Sequence, residues 1–153
     1  MLLRQDRAQT AIAVALDIGF HAGRGAGELA SAAEVAERLG AARRGLEPVL
    51  QALSRAGILE SLRGPRGGYR LARHPRDIRL LAVMEALGDL AGSEPAEPGL
   101  AGRLQEAVVG PLWAEFDSLL RERLAALTLE DLLRRAAAAG LKRPISAPLN
   151  FAI

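Results

Sequence analysis

The sequence contains no cysteine and few aromatic side chains. Among 153 residues there is no Cys, one Trp, one Tyr and three Phe. The lack of thiols excludes disulfides, thiolate metal sites, thiol nucleophiles and cysteine-ligated iron–sulfur clusters. With His21 and His74 as the only imidazoles, a histidine-rich metal site or a two-histidine catalytic site is not expected either. We therefore expect neither metal nor cofactor, and a core built mainly from Leu, Ala and Val.

Long apolar runs are also missing. The longest, residues 11–16, is interrupted by Asp17 and is far shorter than the roughly 20 residues that span a bilayer. The first residues include Arg4, Asp6 and Arg7, and no apolar stretch with a small-residue cleavage site follows them. We expect a cytoplasmic protein with no membrane partner.

Positive charge is concentrated in the first half of the chain. Residues 1–80 carry 13 Arg against 8 acids, whereas residues 81–153 carry 7 basic residues against 10 acids. Six arginines lie within residues 61–80: Arg63, Arg66, Arg70, Arg73, Arg76 and Arg79. Clustered Arg suits phosphate recognition, because a guanidinium can donate two hydrogen bonds to one oxyanion. The alternative is a solvated face of an arginine-rich protein, and charge alone does not decide between them.

Three helices are predicted in the first third of the chain. Apolar residues at helical spacing predict a helix over 7–22, and the spacing of Ser31 and Glu34 predicts a capping box before a short helix that ends at Gly40. A further helix is expected over about 43–56. Because Pro48 is tolerated only in a first turn, the regular helix either begins near Gly45 or bends, and we favour the first. The two short helices form a helix-turn-helix pattern, which is a weak signal by itself.

A hairpin is predicted directly after this pair. Residues 58–63 and 69–73 read as strands, and the turn-rich segment 64–68 between them suits a loop of more than two residues. A helix-turn-helix followed by a basic hairpin is a winged helix. The predicted fold class is mainly α: a winged helix-turn-helix with a two-stranded wing and a long C-terminal dimerisation helix.

The second half of the chain predicts helices for self-association. A helix is expected over 78–87, a loop over 88–102, a long helix over about 111–126 and a further helix after Thr128. The long helix carries more apolar surface than a small head can cover, so we expect a homodimer through Leu112, Trp113, Phe116, Leu120, Leu124 and Leu127. The alternative is packing within the chain. The predicted units are 1–87 for DNA binding, 88–110 as linker loop and short helix, 111–140 for dimerisation and 141–153 as a tail.

Several stretches resemble the Rrf2 family of bacterial winged-helix transcription regulators. They are residues 33–40, Leu46-Glu47, residues 53–59, and above all the wing motif Arg63-Gly-Pro-x-Gly-Gly-Tyr69-x-Leu71. The likeness runs from about residue 8 to 133. It implies a homodimer on an imperfect palindromic operator in double-stranded DNA, with a helix in the major groove and the wing in the minor groove. By position, it implies base contacts from Arg43, Arg44 and Glu47, a wing arginine at Arg63, and a backbone contact near Arg7.

The chain also departs from this family. Small hydroxyl residues common before the recognition helix are replaced by Ala42, Arg43 and Arg44, and the Gln common after the helix Glu is Pro48. Cluster-binding members place three cysteines in the region that corresponds to residues 88–110, where this chain has none. The resemblance therefore implies a different operator and a regulator without an iron–sulfur cluster.

Physical chemistry independently favours DNA contact by the wing. Arg63 and Arg66 flank a glycine-rich turn that includes Gly67, and such a turn can approach a narrow groove closely. Glu47 either accepts a hydrogen bond from the N4 amino group of a cytosine or forms an ion pair with Arg43 or Arg44 on the helix. No nucleophile with an adjacent base, phosphate-cradling loop or metal-ligand spacing is present, so we expect no enzyme.

The predicted function is a DNA-binding regulator, with repression favoured and with an unknown small molecule or protein as the candidate effector. The alternative is a dimeric winged-helix module that binds protein without operator recognition. The basic wing argues against that alternative, because such a module does not need the charge.

Overall fold

The structure, a computed structural model, describes residues 5–22, 28–88 and 101–144. Its helices are α1 (Gln5–His21), α2 (Ala32–Leu39), α3 (Arg43–Arg55), α4 (Leu80–Glu85), α5 (Gly110–Ala126) and α6 (Leu129–Ala138). Strands β1 (Leu59–Leu62) and β2 (Gly68–Leu71) separate α3 from α4. A 3₁₀ turn, Pro75–Asp77, precedes α4, and a π-helical segment, Gln105–Val109, precedes α5. No helix within these ranges is long and apolar enough to cross a membrane.

The predicted capping box at α2 is confirmed. The Ser31 hydroxyl accepts from the Glu34 amide at 3.2 Å, and the Glu34 carboxylate accepts from the Ser31 amide at 2.7 Å. Gly40, with φ of 61°, ends the helix in the left-handed region that glycine adopts without strain. The cap and the terminator together fix where α2 begins and ends.

The predicted start of α3 near Gly45 is wrong, because the helix begins at Arg43 and keeps Pro48 in its interior. Proline there removes the amide that would bond to the Arg44 carbonyl. Both residues are exposed, so water can hydrate that carbonyl. Leu46 and Leu50, buried on either side of the proline, anchor the helix despite the missing bond.

The wing is the predicted antiparallel hairpin. Glu60 pairs with Arg70 and Ser61 with Tyr69 across the two strands. Ala30, just before α2, exchanges two backbone hydrogen bonds with Tyr69, at 2.8 and 2.9 Å. The base of the wing is therefore tied to the entry of the helix-turn-helix.

The core lies under the helix-turn-helix and is aliphatic, as predicted. Its largest fully buried side chains come from α1, α2, α3 and the segments that follow: Val14, Ile18, Val35, Leu46, Leu50, Leu53, Ile58, Ile78, Val83 and Leu129. Gly19 of α1 allows close packing, since an added Cβ would lie 3.1 Å from the Leu71 methyl and 3.9 Å from that of Leu133. Helix α1 thus contacts both the wing and α6.

The segment after the wing differs from the predicted helix over 78–87. It is a 3₁₀ turn followed by a short α4, because Ile78 and Arg79 are extended. Arg79 forms an isolated antiparallel β-bridge with Thr128. The Leu80 amide donates a hydrogen bond to the Leu127 carbonyl at 2.9 Å. These long-range backbone bonds outweigh the local helical pattern.

The long helix matches its predicted bounds to within one residue, since α5 runs over Gly110–Ala126. Helical structure before it begins at residue 103, in the region where a short helix was predicted, and passes through the π-helical segment. Pro111 explains the widened turn, because its ring would clash with the Ala107 carbonyl in a regular α-helix. The predicted loop over 88–102 falls largely on residues 89–100, outside the described ranges, as do residues 145–153 of the predicted tail.

Candidate nucleic-acid interface

The exposed face of α3 carries polar side chains four residues apart. Arg43, Glu47, Gln51 and Arg55 form this row and are all exposed. Residues at this spacing lie on one side of a helix, so they make a ridge about 18 Å long. The opposite face is buried: Leu46, Val49, Leu50 and Leu53. Gln51 and Arg55 were missed by the sequence interpretation, although their spacing from Glu47 could have indicated them.

Glu47 is paired with Arg43 within the helix. The Arg43 Nε lies 3.6 Å from Glu47 Oε1, and the side chains are 64% and 51% exposed. This geometry is the intrahelical pair that the sequence left as an alternative to a base contact. Exposed pairs of this kind contribute only about 0.3–0.5 kcal/mol, so either partner can exchange it for a ligand. Arg44, the next residue, has no hydrogen bond or ion pair with any described residue.

The tip of the wing is a tight turn. The Gly67 amide donates to the Gly64 carbonyl at 2.9 Å, with Pro65 and Arg66 at the central positions. Gly64 has a φ of 122°, whereas no described non-glycine residue has a positive φ. A Cβ on Gly67 would overlap the Leu62 carbonyl oxygen, and one on Gly68 would lie 2.8 Å from the Ala30 carbonyl oxygen. The observed role of Gly67 is therefore close packing within the wing, which presents Arg66 at its tip.

The six arginines of residues 61–80 are not equivalent. Four have partners within the chain. Arg70 Nε lies 2.8 Å from Glu60 Oε2, Arg73 and Arg79 donate to backbone carbonyls at 3.2 and 2.9 Å, and Arg76 lies 4.0 Å from Asp77. Arg63 and Arg66 are exposed and have no partner among the described residues. The charge available to a ligand is thus concentrated at the wing tip.

Arg7, the predicted backbone contact, lies in the first turn of α1. Its side chain is exposed, and it has an interaction within the chain. Arg7 therefore differs from Arg44, Arg63 and Arg66, which are exposed and have no partner in the described part of the chain.

Helix α5 exposes a stripe of large apolar side chains. Leu112, Trp113 and Phe116 of the predicted dimerisation set are 42%, 45% and 51% exposed, and the two aromatic rings contact each other edge to face. Leu120, Leu124 and Leu127 are half-buried within the chain. The stripe instead extends to three exposed residues outside the predicted dimerisation set: Leu104, Val108 and Leu119. The exposed stripe therefore covers the first half of the predicted set and reaches further toward residue 104.

Comparison with known proteins places this architecture in a family. The family model for Rrf2, described as an iron-dependent transcriptional regulator, matches residues 5–135. The chain belongs to the Rrf2 family. This Rrf2 protein is 32% identical over 111 residues to the HTH-type transcriptional regulator IscR of Cereibacter sphaeroides, which covers 70% of this chain and 72% of that protein. It is 30% identical over 123 residues to Protein rrf2 of Nitratidesulfovibrio vulgaris, at 79% and 80% coverage.

Solved structures agree with this membership. T. potens IscR superposes with a TM-score of 0.68 at 28% identity over 90% of each chain. CymR of B. subtilis, at 24% identity, shares the fold with a TM-score of 0.67 over 88% of this chain and 98% of that one. The predicted mainly helical, winged-helix fold class is confirmed. Since the family and these relatives are transcriptional regulators, the prediction that this Rrf2 protein is not an enzyme is also confirmed.

The side chains of this Rrf2 protein do not fit an iron–sulfur cluster. The sequence has no Cys, and no three His, Asp or Glu side chains come together within the described ranges. His74 Nδ1 accepts from the Arg76 amide at 3.2 Å, and His21 Nε2 lies 3.5 Å from Asp17. Iron–sulfur clusters in proteins are held chiefly by thiolates, and neither imidazole belongs to a group of cluster ligands.

Proposed function

We propose that this Rrf2 protein is a sequence-specific regulator that binds a pseudo-palindromic operator as a homodimer, without an iron–sulfur cluster. The observation that carries the proposal is the placement of unpaired arginines. Arg44 at the start of α3 and Arg63 and Arg66 on the wing are exposed and without partners in the described chain. Among the neighbouring arginines, Arg70 is paired with Glu60, and Arg73 and Arg79 donate to backbone carbonyls. Unpaired guanidiniums at two elements of a winged helix suit phosphate and base contact.

The two elements suit different grooves. A helix fits the major groove, where Arg can donate to both acceptors of guanine. The exposed row on α3, with Arg44 beside it, supplies such donors, and Gln51 can bind adenine in the same way. The narrow wing tip suits the minor groove, where Arg responds to groove width and negative potential. The proposed contacts are Arg43, Arg44, Glu47, Arg63 and Arg66, with Gly67 shaping the wing and Arg7 on the DNA backbone.

Dimerisation is supported by the apolar stripe on α5. Contiguous exposed apolar surface of this kind marks an interaction site on a soluble protein. A second copy fits it best, because two identical stripes can pack with two-fold symmetry. Leu112, Trp113 and Phe116 form the proposed centre of this contact, and Leu120, Leu124 and Leu127 continue it where they remain half-exposed. A two-fold dimer would present its two α3 helices to two operator half-sites.

Selection of bound duplexes from a random pool tests operator recognition. We expect one enriched, two-fold symmetric motif. Affinity for it should fall linearly on a log–log plot against salt, with a slope set by several phosphate contacts. If no duplex exceeds random DNA by tenfold, the operator proposal fails and the protein-module alternative gains support. In vitro transcription from a promoter carrying the motif tests repression, for which we expect less transcript.

Oligomeric state tests the dimer separately. Leu119 lies on the stripe and is 56% exposed, whereas Leu141 is 60% exposed and lies outside α5. We expect Leu119→Glu to convert the dimer to a monomer in light scattering, and Leu141→Glu to leave it dimeric. A wild-type monomer, or equal effects of the two substitutions, contradicts dimerisation through α5.

A further inference from the structure

A cavity of about 400 Å³ lies between the 3₁₀ turn that follows the wing and helix α6. Its lining combines an apolar floor with charged side chains: His74, Pro75, Glu130, Leu133, Arg134, Ala137 and Arg143. Its volume lies within the 300–1,000 Å³ that is typical of small-molecule sites, and it is open to solvent. None of these residues belongs to the proposed DNA contacts.

The end of α6 builds one wall of the cavity. The Gly140 amide donates to the Ala137 carbonyl at 3.0 Å, and the Leu141 amide donates to the Ala136 carbonyl at 3.1 Å. With Gly140 at a φ of 83°, these bonds form a Schellman turn that reverses the chain. The reversal places Arg143 beside Ala137, on the rim of the same cavity as His74.

The charges on the rim favour an anion. Arg134 is engaged by two carboxylates, that of Glu130 at 3.0 Å and that of Asp131 at 3.5 Å, so it is not available to a ligand. Arg143 has no hydrogen bond or ion pair with any described residue. Because His74 Nδ1 accepts from the Arg76 amide, the proton of the neutral ring lies on Nε2, which is left as a donor. One unbalanced guanidinium and one imidazole N–H beside Pro75, Leu133 and Ala137 suit a carboxylate with an apolar body.

The cavity is also connected to the wing. Leu133, in its floor, is buried and lies beside Gly19, where an added Cβ would be 3.9 Å from Leu133 and 3.1 Å from Leu71 of β2. On the other side, His74 and Pro75 follow β2 by only three residues. A ligand that moves α6 relative to the 3₁₀ turn therefore acts on packing that supports the wing.

We propose that this cavity binds a small organic carboxylate with an apolar body, and that its occupation changes the affinity of the wing for DNA. The effect on DNA affinity rests on the proposed function, whereas the carboxylate site does not. Arg143 anchors the carboxylate, His74 Nε2 donates a second hydrogen bond, and Pro75, Leu133 and Ala137 contact the apolar part.

Isothermal titration calorimetry of the full chain with octanoate, in the absence of DNA, tests the binding. We expect saturable binding that Arg143→Ala weakens about tenfold or more, since it removes a charge-assisted hydrogen bond. The neutral analogue octanol and inorganic phosphate should bind much more weakly. Ala137→Leu adds bulk within the lining and should abolish binding. Ala138 is the neighbouring residue outside the lining and is exposed like Ala137, so Ala138→Leu should leave binding unchanged.

The outcomes separate the two halves of the proposal. No saturable binding, or equal binding by wild type and Arg143→Ala, overturns the carboxylate site whether or not DNA is bound. If inorganic phosphate binds as tightly as octanoate, the proposed role of the apolar floor is overturned. With a selected duplex, octanoate should change affinity at least threefold in wild type and not in Ala137→Leu. An unchanged affinity in wild type overturns the regulatory half alone.

Discussion

Arg38 of α2 holds the carboxylate of Asp17 in α1 with three hydrogen-bond contacts. Its Nε lies 3.0 and 3.1 Å from the two oxygens of Asp17, and its terminal nitrogen Nη2 lies 2.7 Å from Oδ2. The Asp17 side chain is only 7% exposed, whereas that of Arg38 is 28% exposed. Hydrogen bonding to Asp17 raises the pKa of the Arg38 guanidinium. It fixes the first helix of the helix-turn-helix to the core.

Truncating Arg38 and truncating Asp17 should lower the free energy of unfolding by different amounts. Arg38→Ala strands a buried carboxylate whose one other ion-pair contact among the described residues is His21, at 3.5 Å, whereas Asp17→Ala frees a guanidinium that can turn toward water. Stranding a buried charge costs about 3–5 kcal/mol, and losing hydrogen bonds to a charged group about 1.5–3 kcal/mol. Because Arg38 is partly exposed, we expect the lower end of each range. Urea unfolding measures the difference, with the exposed Glu37→Ala as a nearly neutral control. Equal losses for the two truncations would contradict this asymmetry.

The cap of α6 predicts a pH-dependent contribution to stability. Asp131 accepts from the Thr128 amide and hydroxyl, each at 2.9 Å, and these bonds, the amide first, lower the pKa of its carboxyl. A lowered pKa in the folded state means that the stabilisation is present above the ordinary value of about 3.9. It is lost as the pH falls through the lowered pKa. We expect Asp131→Asn to destabilise the protein at pH 7 and to match wild type once the pH has fallen through that lowered pKa.

Denaturant unfolding across this pH range measures the effect. Asp77→Asn is a suitable control, because Asp77 is exposed and its one ion pair with a described residue, Arg76, has a distance of 4.0 Å. We expect Asp77→Asn to change stability little, both at pH 7 and at acid pH. A destabilisation by Asp131→Asn that persists unchanged at acid pH would show that the cap acts without its charge.

Two glycines of the proposed interface should respond to alanine in opposite directions. A Cβ on Gly67 would overlap the Leu62 carbonyl oxygen, whereas a Cβ on Gly45 meets nothing within 4 Å. We expect Gly67→Ala to destabilise the wing by about 1 kcal/mol or more. Gly45→Ala, in the first turn of α3, should stabilise by roughly 0.4–1 kcal/mol through the unfolded chain. Thermal unfolding measures both, and a neutral Gly67→Ala would contradict the packing of the wing turn.

The parts of the fold that could be predicted from sequence depend on local chemistry. The capping box at Ser31 and Glu34, the terminator Gly40 and the glycine-rich wing each follow from a few neighbouring residues, and all three are observed. The same holds for the aliphatic face of α3. In each case the local preference and the tertiary packing favour the same structure.

The errors arose where tertiary contacts override local preference. Burial of Leu46 and Leu50 carries α3 past Pro48, and backbone bonds between residues 78–80 and 127–129 shorten α4. At the candidate site, six clustered arginines suggested one basic surface. Pairing such as that of Arg70 with Glu60 depends on strand register, so it could not be read from the charge pattern.

The unpaired arginines of the wing and of α3 should contribute differently to DNA binding. Arg63 lies beside a tight turn suited to the minor groove, whose width is a signal that many A·T-rich sequences share. Arg44 lies at the start of a helix, where a bidentate contact to guanine discriminates by roughly 1–3 kcal/mol. We expect Arg63→Ala to weaken binding to operator and random DNA by similar factors, with a shallower salt slope. Arg44→Ala should weaken operator binding more and flatten the preference at particular base pairs.

Arg70→Ala is the matched control for the wing, because Arg70 is already engaged by Glu60 at 2.8 Å. We expect it to change affinity less than Arg63→Ala, although both remove one positive charge from the same hairpin. Arg43→Ala controls for the register of α3, since Arg43 is partly neutralised by Glu47. If Arg63→Ala removes discrimination at one base pair while both helix variants keep the wild-type preference, the wing reads bases and α3 only positions the protein.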